Sequence, residues 1–389
     1  MAFDPNAATA RYIDSLGPEN LQRAHNYTVG KEWMLLWGLL VSALVTWLIV
    51  RSGILDRVER RFAERRRNLR AFFVAAVYSL VFALLNAPWT IYASWWREKS
   101  YGRTSQPLGD FLGQQSIALL ISTIVLSLFL VGVYWLMRRT GKRWWLWSAG
   151  LAAATLAFFM LLSPVLIEPL FNKYEPIPAG QVHDAVAEMA ARANIPEDKI
   201  FMYDGSRQSN NFTANAGGVG STARVAISDV AMKNASLDEV RAVTGHEIGH
   251  YVLKHTWWGL LIFSLLALVL FWLADRLFPL FARAFGIKAS ISDPRALPVL
   301  AFMLAAFSLV AQPIINTFAR TIETDADDYS LRTENRPDAL SSALVKTAEY
   351  RYPRPGRVEE FLFYDHPSVE RRVRRAMEWK AAHPAGPVR

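Results

Sequence analysis

The chain has 389 residues, 52% of them hydrophobic, with 14 Trp, 22 Phe and a net charge of +9, a composition that argues against an ordinary soluble domain and for a large membrane body. Cysteine is absent, which excludes disulfides, thiolate metal ligands and a cysteine nucleophile together; any metal must rest on His, Asp or Glu. Much of the basic excess lies in short loops between apolar runs, where it orients a membrane protein and does not mark a nucleic-acid partner.

The polar N-terminal stretch, 1–31, lacks the basic segment, short apolar core and cleavage site of a signal peptide, and none is expected. Six apolar stretches reach or approach spanning length: Trp33 to Val50, Ala71 to Trp96, Ile117 to Met137, Trp144 to Leu170, Trp257 to Ala274 and Ala296 to Phe318. Trp pairs gather at their ends (Trp95-Trp96, Trp144-Trp145, Trp257-Trp258), where an amphipathic ring suits the headgroup level. A mainly α, polytopic membrane protein of about six spans is predicted. Pro164 and Glu168 interrupt the end of the fourth span, and Gln312, Pro313 and Asn316 interrupt the sixth. Both are expected to break there, with polar groups facing protein or a water-filled cavity.

Loop 51–70 holds eight arginines against three acidic residues, and Arg138, Arg139, Lys142 and Arg143 fill the third loop. The positive-inside rule puts both in the cytoplasm, and the termini and the polar insert 171–256 on the other side. The chain thus divides into residues 1–170 with four spans, a polar insert 171–256, two spans in 257–318 and a polar segment 319–389 that ends in a basic Pro/Gly tail.

The insert reads as a small α+β domain. Residues 179–194 are helical, and Lys199 to Asp204 and Ala223 to Ser228 alternate like strands around the glycine-rich passage Asn215 to Gly220. That passage suits an exposed edge strand, to which an extended peptide adds by main-chain hydrogen bonds; Gly217, Gly218 and Gly220 would permit its close approach. Ser236 and Glu239 form a capping box that starts the next helix.

That helix carries His246-Glu247-Ile248-Gly249-His250. The spacing places two imidazoles one turn apart on one face with a carboxylate beside them, the signature of a zinc peptidase. A catalytic zinc uses three protein ligands and leaves the fourth position open. Glu247 would take a proton from the attacking water and later protonate the leaving amine. The third ligand must come from another helix, and Glu323, just past the sixth span, is the candidate. Asp327, one turn on, is placed to accept the other ring N–H of a liganding histidine and fix its tautomer. His255, nine residues after His246, is read as an interfacial histidine without a metal role. His366-Pro367 reads as a turn into a helix with Pro in its first turn; His366 or Arg372 would stabilise the oxyanion formed during attack.

Together these segments resemble the integral-membrane zinc metalloproteases that include the type I CAAX prenyl endopeptidases and their bacterial relatives. Ile167 to Tyr174 is similar to that family's passage out of the membrane, and Asp204 to Arg207 to its entry into the substrate strand. Asn215, Ala216 and Gly220 are similar to its Asn-Ala-x-x-x-Gly edge strand. His246 to Thr256, then Arg320, Glu323, Ala326 and Asp327, then His366, Pro367 and Arg372, are similar to its two metal helices and its closing motif. The resemblance covers most of the chain from about Arg11 onward. It implies a gluzincin-like protease domain with one Zn2+ on His246, His250 and Glu323, Glu247 as base, Asp327 in support, and His366 and Arg372 at the substrate carbonyl. It further implies spans around a large water-filled chamber and a protease domain facing the cytoplasm, in a bacterial inner membrane. Six spans in place of the seven of the eukaryotic prenyl proteases, and a longer approach, 210–214, to the Asn-Ala pair, are departures from the pattern.

The expected function is a zinc-dependent membrane endopeptidase acting on peptide or protein substrates. CAAX-type cleavage near the C-terminus of membrane-associated or prenylated chains is its specific form. A membrane-protein quality-control protease of broader specificity is the alternative, and a non-enzymatic scaffold or metal transporter is the reading from another class. The bilayer is the expected surrounding partner.

Overall fold

The computed structural model describes residues 3–218, 220–348 and 351–383; Val219 of the glycine-rich passage and the basic tail 384–389 lie outside them. The chain opens with α1 (Pro5–Asp14), α2 (Gly17–Ser52), α3 (Ile54–Arg61), α4 (Arg67–Ile91) and α5 (Arg97–Ser100), followed by α6 (Leu108–Thr140) and α7 (Trp144–Leu162). The insert holds β1 (Tyr174–Pro176), α8 (Gln181–Arg192), β2 (Ile200–Tyr203), β3 (Ala214–Gly217), β4 (Arg224–Ser228), α9 (Asp229–Asn234) and α10 (Leu237–Val252). Then come α11 (His255–Phe285), α12 (Leu297–Glu334), α13 (Pro337–Lys346), α14 (Arg357–Phe363) and α15 (Val369–Ala382).

Five helical stretches among the described residues are long and apolar enough to cross a membrane, the longest being 63 residues from Leu108 to Leu170. As one straight helix that stretch would run about 95 Å, three hydrocarbon cores. It does not: Gly141 takes φ +54° and ψ −122°, and α7 folds back against α6. Counted after this turn, the chain is a polytopic helical membrane protein with six spans.

Each span packs on the next, α2 on α4, α4 on α6, α6 on α7, α7 on α11, α11 on α12, and α12 returns to α2. The six therefore close a ring. Its buried apolar core lies at one end only, built from Val45 and Ile49, Ala71 to Tyr78, Leu130 to Met137, Trp144, Phe271 to Ala282, and Leu297 to Met303. These are the span ends next to the basic loops. Toward the other end burial almost ceases: α2 between 29 and 44, α11 between 256 and 270, and α7 from Gly150 to Leu162 contain no buried residue. The ring is plugged at the basic end and opens into a chamber at the other.

The sixth span departs from expectation. α12 runs unbroken through Pro313 and on to Glu334, as helices in a membrane tolerate an internal proline when neighbours satisfy the freed groups. Asn316 is buried and donates to the Leu362 carbonyl at 2.7 Å, so it joins α12 to α14. The metal helix expected as a separate element after the sixth span is the continuation of that span. The fourth span does deviate, through a π turn at Ser163–Ile167.

The sheet order is β1-β2-β4-β3, with β2 and β4 parallel and both outer pairs antiparallel. β4 was expected to alternate but is buried at all five positions, because a central strand covered on both faces needs no solvent side. Its Arg224 reaches toward the membrane. There it donates to the Pro164 carbonyl at 2.8 Å, pairs with Glu168 and lies 4.1 Å from the Tyr174 ring centre, while the Tyr174 hydroxyl donates to Glu168 at 3.0 Å. The segment from Arg103 to the first turn of α6 ties down the insert from the other side: Asn210 N–H donates to Arg103 O at 2.9 Å and Arg207 pairs with Asp110 at 2.6 Å. The insert therefore roofs the open end of the ring, opposite the basic loops.

Replacing Arg224 by Met leaves a span-end carbonyl without its partner and Glu168 with the Tyr174 hydroxyl but no cation, and should lower the unfolding free energy of detergent-purified protein by about 1–3 kcal/mol, measured as a fall in Tm with metal site intact.

Candidate active site

Two helices make the site, and small residues let them meet. α10 starts at the expected capping box, in which Ser236 Oγ accepts from the Glu239 N–H at 3.3 Å and Glu239 Oε2 accepts from the Ser236 N–H at 2.8 Å. It then packs along α12. A Cβ at Gly245 would lie 2.9 Å from Glu334 Cγ, and one at Gly249 would lie 3.1 Å from Tyr329. Glycine at these positions sets the helix separation that lets a side chain of α12 reach the histidines of α10.

His246, His250 and Glu323 converge, with ligand atoms all within 4.8 Å of one another. His246 Nε2 lies 3.3 Å and His250 Nε2 3.4 Å from the two Glu323 oxygens, and the two Nε2 atoms are 3.2 Å apart. The outer nitrogens are engaged elsewhere. His246 Nδ1 bonds Asp327 Oδ1 at 2.9 Å, and His250 Nδ1 bonds His255 Nδ1 at 2.9 Å. When both rings are neutral and carry their proton on Nδ1, two Nε2 lone pairs and a carboxylate face one point. Glu323 Oε2 is buried there and accepts no hydrogen bond. An orphaned buried carboxylate oxygen opposite two lone pairs fits a small divalent cation with nitrogen and oxygen ligands.

The support extends through α15. Asp327, 2% exposed, receives both Nε and Nη2 of Arg372 at 2.7 Å. Burial opposes a charge on His246, but Asp327 and Glu323 outweigh it and lift the imidazole to about 10; the site favours positive charge. Burial pushes the Glu247 carboxyl up, although the neighbouring His246 and His250 pull the other way, as suits a proton acceptor. Arg320 donates to the Glu360 carbonyl at 2.8 Å and to that of Tyr364, which fixes the loop carrying His366. His366 Nε2 stands 3.3 Å from Glu323 Oε2, and its Nδ1 bonds Asp365 at 3.0 Å, itself paired with Arg351 at 2.9 Å. Burial keeps His366 below its ordinary range.

A cleft of about 240 Å³ opens on this group, lined among others by Phe212, Ala214, Val243, Glu247 and Leu344. Asn215 and Ala216 lie on β3, the edge strand, and Gly220 in the turn after it, but the cleft wall is Asn211 to Ala214. The residues that lengthen the approach to the Asn-Ala pair are the ones beside the metal site. Gly218 serves its own loop: at φ +84° a Cβ there would meet Thr222 O at 2.0 Å, so its glycine answers a tight turn. Pro367 precedes the helix cap Ser368 and is not in the first helical turn.

His255 departs from its expected interfacial place. It is 7% exposed and bonded to a candidate ligand, because Lys254 adopts φ +58° and folds the start of α11 back on α10. Its spacing from His246 was visible; the left-handed residue that redirects it was not. Asp365 and Arg351, which align His366, carried no sequence signal.

Residues 176–380 match the model of peptidase family M48, over half the chain. The chain belongs to this family. It is a membrane metalloendopeptidase. Residues 6–173 match a second model, the CAAX prenyl protease N-terminal region with five membrane helices, although this chain has four spans in that interval. Among relatives, the chain is 28% identical over 369 residues to an uncharacterised metalloprotease, YhfN, of Bacillus subtilis, covering 92% of this chain and 86% of that one. It is 24% identical to a human CAAX prenyl protease 1 homolog, covering 91% and 85%. The crystal structure of S. mikatae Ste24p shares the fold with a TM-score of 0.76 at 20% identity, over 96% of this chain and 95% of that one.

His255→Ala, which frees His250 to rotate, should weaken metal affinity by about 10- to 100-fold, read by chelator competition. Because a proton on His246 competes with the metal below about pH 10, affinity of the unaltered protein should rise with pH, by up to about tenfold per unit through the neutral range; a flat profile in the same titration contradicts that competition.

Proposed function

We propose that the protein is a zinc-dependent endopeptidase of the bacterial cytoplasmic membrane that cuts extended segments near the C-terminus of membrane-associated chains, CAAX-type cleavage being its specific form. The observation that carries this reading is the placement of the His246, His250 and Glu323 cluster under the roof of a one-ended ring of spans, beside the free edge of β3. A thin, extended chain end suits such a space; a folded domain does not. The names of the CAAX prenyl protease relatives lend the same support.

His246, His250 and Glu323 would hold a zinc ion, which when bound would supply Lewis-acid polarisation. The chain's own residues do the rest. A peptide pairs with β3 by main-chain hydrogen bonds, with apolar side chains against Phe212, Val243 and Leu344. Glu247 takes the proton of the attacking water and passes it to the leaving nitrogen. Arg372 holds Asp327 with its fork and contributes a permanent positive charge near the carbonyl oxygen; His366, oriented by Asp365, closes the same side. Main-chain pairing selects for extension over sequence, which favours broader specificity as the second reading.

Glu247→Gln should lower peptide hydrolysis by at least about a hundredfold while leaving zinc content near one ion per chain; retained hydrolysis would remove Glu247 from the mechanism. With a prenylated C-terminal peptide, release of the last three residues, seen by mass spectrometry, supports the CAAX-type reading. Cleavage of unrelated membrane proteins with that peptide left whole favours quality control.

A further inference from the structure

At the plugged end of the ring, far from the metal site, three basic segments meet. The α3–α4 corner, the end of α6 and the α11–α12 loop surround a cleft of about 310 Å³ lined by Arg67, Arg70, Arg138, Ser290 and Ser292 together with Glu59 and Asp293. The carboxylates are already engaged. Glu59 pairs with Arg70 at 2.8 Å, and Asp293 is held by Arg295 at 2.6 Å. Arg138 donates to the amide oxygen of Asn68; among the described residues neither Arg138 nor Arg67 pairs with a carboxylate. The start of α4 lies here too, at Arg67, with no side-chain cap, so its partial positive charge adds to the guanidiniums.

Depth identifies the ligand. Trp135, one turn before Arg138, is 50% exposed, and Trp147, at the start of α7, is 57% exposed; exposed indoles flanking a span end mark the headgroup layer. A cavity with two unneutralised guanidiniums and serine hydroxyls at that depth matches a phosphodiester in size, charge and donor type.

We propose that this cleft binds the phosphate group of an anionic phospholipid, whose acyl chains lie along α6 and α7. The site is independent of proteolysis and anchors the closed end of the ring to the bilayer.

The test uses the full chain in mild detergent, titrated with phosphatidylglycerol, phosphatidylcholine or inorganic phosphate and read by native mass spectrometry. The unaltered protein should retain phosphatidylglycerol in preference to phosphatidylcholine. Joint replacement Arg67→Gln and Arg138→Gln should weaken retention by roughly fivefold per guanidinium, with peptide hydrolysis unchanged. Arg143→Gln, in the turn after α6 but outside the cleft lining, should have no effect. Glu59→Gln, which releases Arg70, should tighten binding, and this gain decides the matter if the double variant fails to fold. Equal retention of the two lipids, an undiminished double variant, an equal loss in Arg143→Gln, or no gain in Glu59→Gln overturns the site. Full displacement of phosphatidylglycerol by millimolar inorganic phosphate overturns the lipid as its occupant.

Discussion

The Asp327 carboxylate is the contact on which the rest depends. One oxygen meets His246 Nδ1 and both meet the Arg372 fork, so a single buried group joins α10, α12 and α15. Burying a carboxylate costs several kcal/mol unless charge and hydrogen bonds compensate it, and here a guanidinium and an imidazole do so together. Removing any partner leaves the others charged and unsatisfied. The same contact orients the histidine ring and holds the C-terminal helix over the cleft.

α12 gives this contact its reach. Because it passes through Pro313 without a break, the carboxylates of Glu323 and Asp327 stand on the same rigid rod as the span that closes the ring against α2 and α11. The membrane body thus fixes the metal position from below. Arg224 and Glu168 perform the matching service for the sheet, joining β4 to the end of the fourth span. Chemistry and enclosure are two ends of the same helices.

Much of this was legible from residue order. The histidine spacing, the Ser236 cap, the carboxylates at Glu323 and Asp327 and the six apolar runs each rest on a local rule: helix periodicity, capping chemistry or bilayer thickness. What failed was non-local. Pro313 looked like a break because the chain does not display the neighbours that satisfy the freed groups. His255 looked interfacial because one left-handed residue, Lys254, turns it back. Alternation misled for β4 because burial on both faces is a property of the assembled layers. The tight turn at Gly218 is likewise set by its own loop, through Thr222.

The plug of apolar side chains at the basic end has a kinetic meaning. A vessel with one mouth makes arriving and departing chains share a passage, so a cleaved fragment obstructs its successor until it diffuses out. A vessel of this form empties slowly of long fragments and quickly of short ones.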